Sequence, residues 1–162
     1  MISIMRASAI VTALLFCSSF SGGKDAAEPD YAKIEEQVKD TYAQITKAAE
    51  SADAERLFSF VLDNDKGALI RNGRIVLTRQ EAFDNYKRNA VGIQKVIYKM
   101  EREYVTVVSP ETAVMVAEGS FEATTTEGNS FGAPFAQTVV FVLRDNQWKV
   151  LHSHTSSPTV GQ

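Results

Sequence analysis

The sequence predicts an α+β fold in which N-terminal helices pack over the concave face of a curved antiparallel sheet. Two observations carry this reading. Residues 31–90 place apolar side chains mostly at helical spacing, whereas almost everything after Val91 reads as strand, interrupted only by short turn-forming joints. These strands also run longer than the usual five or six residues, which a sheet accommodates by bending.

The elements follow in order. From Tyr31, the residues Ile34, Val38, Tyr42, Ile45 and Ala49 recur every three or four positions and make one stripe of a first helix. Asp53 is a suitable N-cap for a second, with Leu57, Phe58, Val61 and Leu62 on its buried face, and "DNDKG" ends it. "ALIRNGRIV" reads as a hairpin, because Asn72-Gly73 supplies the positive φ angles of a two-residue turn. "TRQE" is a capping box from Thr78 to Glu81, opening a third helix with Ala82, Phe83, Tyr86 and Ala90 on one side. Four strands follow over residues 94–108, 112–125, 135–144 and 147–155, joined by "SPE", "TEGNSFGAP" and "DN".

Ahead of these elements stands a segment that belongs to processing. "MISIMR" supplies one cation, residues 7–20 are uncharged, and Ser19 and Ser21 are small residues placed for cleavage after Ser21. The run is shorter than the roughly 20 residues that span a bilayer. Bulky Phe16 before Cys17 argues against a lipid-bearing cysteine. The expected organisation is a signal peptide over 1–21, a polar lead over 22–30, one domain over 31–158 and a tail over 159–162. The expected location is secreted or periplasmic. Cleavage after Ser21 removes the only cysteine, so the mature chain has neither a disulfide nor thiol chemistry. With 17 basic and 20 acidic residues and no clustering of Lys or Arg, nucleic acid is excluded as a partner, as is a membrane surface after signal removal.

Four stretches resemble the nuclear transport factor 2-like superfamily, whose members include ketosteroid isomerase, scytalone dehydratase and the SnoaL-like polyketide cyclases. These are "ESADAERLFSF", "RNGRIVLTRQEAFDNY", "AVMVAEGSFEA" and, most specifically, "QWKVLHSHTSSP", where Trp followed by His-x-His-x-Ser is similar to SnoaL-like and kinase-association domains. The resemblance implies a cone-shaped sheet closed at one end by the helices, with an apolar interior for a small hydrophobic ligand. In the ketosteroid isomerase group the catalytic Tyr and general-base Asp would fall at Ile45 and Leu69; neither side chain can move a proton, so that activity is excluded.

Three residues are candidates for polar chemistry. His152 and His154 share a strand face by alternation, and the same alternation groups Glu118 with Val114, Val116, Ser120 and Glu122. The kinase-association domain carries a pocket Arg at the position of Glu118, and its following strand resembles Gln137-Thr138. On that correspondence Glu118 projects into the cone beside His154 or His152, a pairing suited to proton transfer. A structural role at the cone wall is equally open to the histidines, and a zinc role would need a third ligand for which only Glu118 is available. No metal or cofactor is therefore expected. Tyr42, Phe58, Tyr86, Tyr98, Phe135 and Gln137 are the expected ligand-binding lining. Three functions remain open: a ligand-binding domain, an isomerase, dehydratase or cyclase using His and Glu, and an oligomerisation module. A homodimer is expected, because both alternating sets of the strand from Thr138 to Leu143 are apolar apart from Thr138, leaving an outer surface to cover.

Overall fold

The computed structural model describes residues 29–66, 69–71 and 73–158. The signal segment with Cys17, nearly all of the polar lead, Asn72 of the expected turn and the tail from 159 lie outside these residues.

Three helices, α1 (Tyr31–Glu50), α2 (Ala54–Ser59) and α3 (Arg79–Ala90), are set against strands β1 (Leu69–Arg71), β2 (Arg74–Val76), β3 (Ile93–Ser109), β4 (Thr112–Thr125), β5 (Ser130–Arg144) and β6 (Gln147–Ser156). The strands form one curved sheet in the order β2-β1-β6-β5-β4-β3, antiparallel throughout except that β1 runs parallel to β6. The expected α+β architecture is thus the one observed.

Local chemistry sets the boundaries. Each helix begins at a side-chain cap: Asp30 accepts from the Lys33 N–H, Asp53 from Arg56 and Thr78 from Glu81. The Glu81 carboxylate also accepts from the N–H of Leu77, one residue ahead of the cap, rather than from Thr78 itself as a capping box would have it. Asp145 and Asn146 both take positive φ, so the "DN" joint is a two-residue hairpin turn whose twist suits the flanking strands.

Two expectations need correcting. α2 stops at Ser59, and Val61 lies beyond it in an extended segment: it bridges Val150 of β6, while the Leu62 N–H donates to Val150 and the Val150 N–H to Phe60. A free backbone edge on β6 at that point outcompetes two further residues of helix. β5 begins at Ser130 rather than at residue 135, because "SFGAP" continues the ladder with β4 as far as Thr124↔Ser130. Gly119 and Gly132 let neighbouring backbone approach closely there. A Cβ on Gly119 would collide with the Lys99 carbonyl, and one on Gly132 with that of Phe121.

The core lies between α1 and the concave sheet face. Val38 and Tyr42 of α1 meet Ala113, Met115 and Ala117 of β4, Val139 and Phe141 of β5, and Trp148 and Val150 of β6. Phe141, Met115 and Val38 are fully buried. Truncating Phe141 to Ala removes one of the largest side chains in this layer, a change that typically costs about 3–5 kcal/mol.

Candidate functional site

On β4 the small and unbranched residues Ala113, Met115, Ala117, Gly119 and Phe121 face the helices, since each pairs with an inward residue of β5, from Phe141 through Val139, Gln137 and Phe135 to Ala133. Their size lets the α1 backbone approach the sheet. β6 joins the same face with Trp148 and Val150, then changes phase. Val150 pairs with Phe141 but His152 pairs with Val140, which leaves Leu151 as an unpaired bulge residue. One inserted residue reverses every side chain beyond it. Ser153 and Thr155 therefore join the interior row with Val139 and Gln137, while His152 and His154 turn outward beside Val140 and Thr138.

That phase change overturns the expected placement of the polar candidates. The alternation of Val114, Val116, Glu118, Ser120 and Glu122 holds, but theirs is the outer face, where Glu118 forms an ion pair with Arg102 of β3. His154 is exposed and His152 half-buried on the same outer face, so Glu118 and the histidines do not meet in the cone. The small-residue set of β4, not its valines, was the signal for the interior. The bulge at Leu151 left no comparable mark.

The interior carries a different polar group. The Tyr42 hydroxyl donates to Gln137 Oε1 at 2.9 Å, and Gln137 Nε2 donates to Ser153 Oγ at 2.8 Å. Tyr42 and Ser153 are both buried. Nearby, Trp148 Nε1 donates to Gln37 Oε1 at 3.2 Å. Among the described residues no buried side-chain nitrogen or oxygen lacks a partner, so this network is fully satisfied. Sequence reasoning included Tyr42 and Gln137 but missed Ser153, which stands between the two histidines that drew attention.

Aromatic rings surround this line. Phe58 meets Phe83 and Tyr86 edge-on at 5.5 and 5.8 Å, and Tyr98 meets Phe135 edge-on at 6.0 Å. Tyr42, Phe58 and Phe135 are buried, whereas Tyr86 and Tyr98 are half-buried and stand nearer the outside. Two ties hold the helices over them: the Tyr98 N–H donates to Glu50 Oε1 at 2.9 Å, and the Tyr86 hydroxyl to the Ala49 carbonyl at 3.3 Å. All six expected lining residues thus lie on the helix side of the sheet.

The electrostatics favour neutral phenols. Burial pushes the Tyr42 hydroxyl well above the usual tyrosine range, and Glu103 and Tyr98 add to the rise. Burial likewise raises Tyr98, opposed by Arg71 and supported by Glu50, and raises Tyr86 with help from Tyr98 and Asp53. The site is a set of hydroxyl and amide groups able to orient an uncharged polar atom, with no imidazole–carboxylate pair inside it. No group of three His, Cys, Asp or Glu able to hold a metal occurs among the described residues. Two concavities of about 370 and 630 Å³ adjoin each other at Pro134, toward the outer side of the bent β4–β5 hairpin. Glu118, Ala136 and Ser156 line the first, and Ile97, Lys99 and Phe131 the second.

Comparison with known proteins places this geometry in context. The family model described as "SnoaL-like domain" matches residues 38–160. A nuclear transport factor 2-like superfamily protein from Salmonella enterica superposes with a TM-score of 0.72 at 14% identity, over 81% of this chain and 96% of that one. A candidate dehydratase of the NTF2-like family from Streptomyces avermitilis gives 0.71 at 20% identity, over 80% and 99%. A type 2 hexachlorocyclohexane dehydrochlorinase gives 0.67 at 16%, over 80% and 87%. At these identities the likenesses establish the fold. No curated protein sequence matches the chain.

The raised Tyr42 hydroxyl makes a prediction about alkaline stability. A phenol whose proton is held more tightly in the folded state contributes fully below the unfolded value near 10, and the contribution is lost as pH rises above it. Wild-type protein should therefore lose stability between pH 9.5 and 11. Tyr42→Phe should be less stable by about 1 kcal/mol at pH 8, from the lost hydrogen bond, with a shallower alkaline decline. Urea unfolding at both ends of that range measures this; parallel declines in the two proteins would contradict it.

Proposed function

The chain belongs to the SnoaL-like domain family, within the nuclear transport factor 2-like superfamily, and from that premise we propose that it binds a small, largely apolar molecule in the interior between helices and sheet. The observation that carries the reading is the Tyr42–Gln137–Ser153 hydrogen-bond line set among aromatic rings. A core needs no such line for stability, since apolar residues of similar volume would serve at least as well. A pocket needs a few convergent polar groups to orient what it holds. Tyr98, Tyr86 and Gln137 are half-buried on the helix side of the sheet, and Tyr42 is buried beside them. The matching ligand is uncharged with one hydrogen-bonding oxygen, because a carboxylate there would face Glu103 and Glu50.

The proton-transfer alternative rested on His154, His152 and Glu118, which all face outward, so the binding reading is preferred. Two further proposals accompany it. Cleavage after Ser21 sends the domain to a secreted or periplasmic location, and the outer sheet face joins two copies as a homodimer. The intact mass of exported protein should correspond to a chain beginning at Gly22 and lacking cysteine; retained Cys17 would refute that.

Trp148 is the only tryptophan and lies on the interior face, so its fluorescence reports on occupancy. Titration with 1-tetralone, which carries one ketone oxygen, should give saturable quenching, and naphthalene, which carries none, should bind more weakly. Gln137→Leu should weaken 1-tetralone binding by roughly 5- to 150-fold, corresponding to about 1–3 kcal/mol for a lost buried partner. Absence of saturable binding, or equal binding of both compounds to both proteins, would overturn the reading.

A further inference from the structure

The phase change at Leu151 also orients β1, because β1 pairs with β6 only beyond the bulge. Leu69 lies beside Ser153 and Arg71 beside Thr155 on the helix-facing side, whereas Ile70 lies beside His154 on the other. Leu69 and, across the hairpin, Val76 accordingly pack against the core. Alternation then turns Arg71 and Arg74 to that same side. The two arginines pair directly with one another at the end of the hairpin. Their Cβ atoms thus stand about 5 Å apart, and like charges so placed destabilise a sheet. Both are exposed, and among the described residues neither joins an ion pair: those present link Lys39 with Glu35 and Arg102 with Glu118.

A second observation bears on where Arg71 reaches. Counted along the sheet, β1 lies four strand spacings from β3, about 19 Å. Burial raises the Tyr98 hydroxyl of β3 above the ordinary tyrosine range, and Arg71 opposes that rise. Such an influence requires the curvature of the sheet to carry the guanidinium over the helix-facing side toward β3. Of the carboxylates on that side, Glu50 accepts from the Tyr98 N–H, and Glu103 lies on β3 at the opposite end of the sheet.

We infer that Arg71 and Arg74 form a clamp for a small oxyanion, a carboxylate or phosphate group, at the rim of the helix-facing side. The site is separate from the Tyr42–Gln137–Ser153 line and does not depend on it. One anion between the paired guanidinium groups turns a cross-strand repulsion into two attractions, with several N–H donors converging on its oxygens. Thr155, half-buried beside Arg71 in register, offers a hydroxyl on the same side. Because both arginines sit on paired strands, their spacing is set before the anion arrives. Being exposed, the clamp weakens as salt rises.

Isothermal titration of the full mature chain at pH 7.5 with sodium phosphate and with sodium benzoate, against sodium chloride at matched ionic strength, tests this. At least one oxyanion should bind saturably, one per chain, and Arg71→Gln/Arg74→Gln should weaken that binding about tenfold or more with an unchanged circular dichroism spectrum. Tighter binding of benzoate would identify the occupant as an organic acid, and tighter binding of phosphate as a phosphate or its ester. Lys95→Gln/Arg144→Gln removes the same charge from exposed positions elsewhere on the sheet and should bind as the wild type does. The readout uses no interior ligand, so a failure to bind 1-tetralone leaves it intact. No saturable binding of either oxyanion, or equal weakening in the two double variants, would overturn the clamp.

Discussion

The single unpaired residue at Leu151 decides what the two faces of this sheet can do. Before it, Trp148 and Val150 belong to the core; after it, the phase reverses, so Ser153 enters the interior and both histidines leave it. Its position coincides with a change of neighbour on the other edge of β6. The segment after α2 occupies that edge at Val150 through Phe60, Val61 and Leu62, and β1 occupies it from Ser153 onward. A strand held by two different partners in succession must reconcile two registers, and a bulge is the least costly way of doing so.

The two faces are built from different residue types. Inside, alanines, Met115 and Gly119 keep the β4 surface low, and aromatic rings from α2, α3, β3 and β5 surround it. Into this the chain places one satisfied hydrogen-bond line. Outside, β-branched residues such as Val114 and Val116, with Tyr104, stand on the face turned away from the helices. The alternation of each strand thus gives the sheet two chemically different faces, one packed against the helices and the other turned away from them.

Much of this was legible in the sequence where the governing chemistry is local. The caps at Asp53 and Thr78 and the Asp145-Asn146 turn each depend on a few adjacent residues and appear as read, and the α1 stripe does so except at its end, where Ala48 is buried in place of Ala49. The grouping of Glu118 with Val114 and Val116 was equally legible, because alternation is a property of the strand alone. Which group faces inward was not, because both sets of β4 are partly apolar and the choice is made by the helix that must fit against them. The histidines were misplaced for a similar reason. The stretch "VLHSH" alternates without visible interruption, and only the switch of partners along β6 inserts the extra residue. Val61 was read as helical because its pairing with Val150 lies far away in sequence.

The facing of β6 is the claim on which both functional readings stand, and thiol accessibility measures it directly. In a Cys17→Ser background the chain has no cysteine, so Ser153→Cys and His154→Cys each introduce a single thiol. At nanomolar concentration, where copies are separated, a water-soluble maleimide should label position 154 at nearly the rate of the unfolded chain and position 153 far more slowly. Prompt labelling at 153 with protection at 154 would contradict the account.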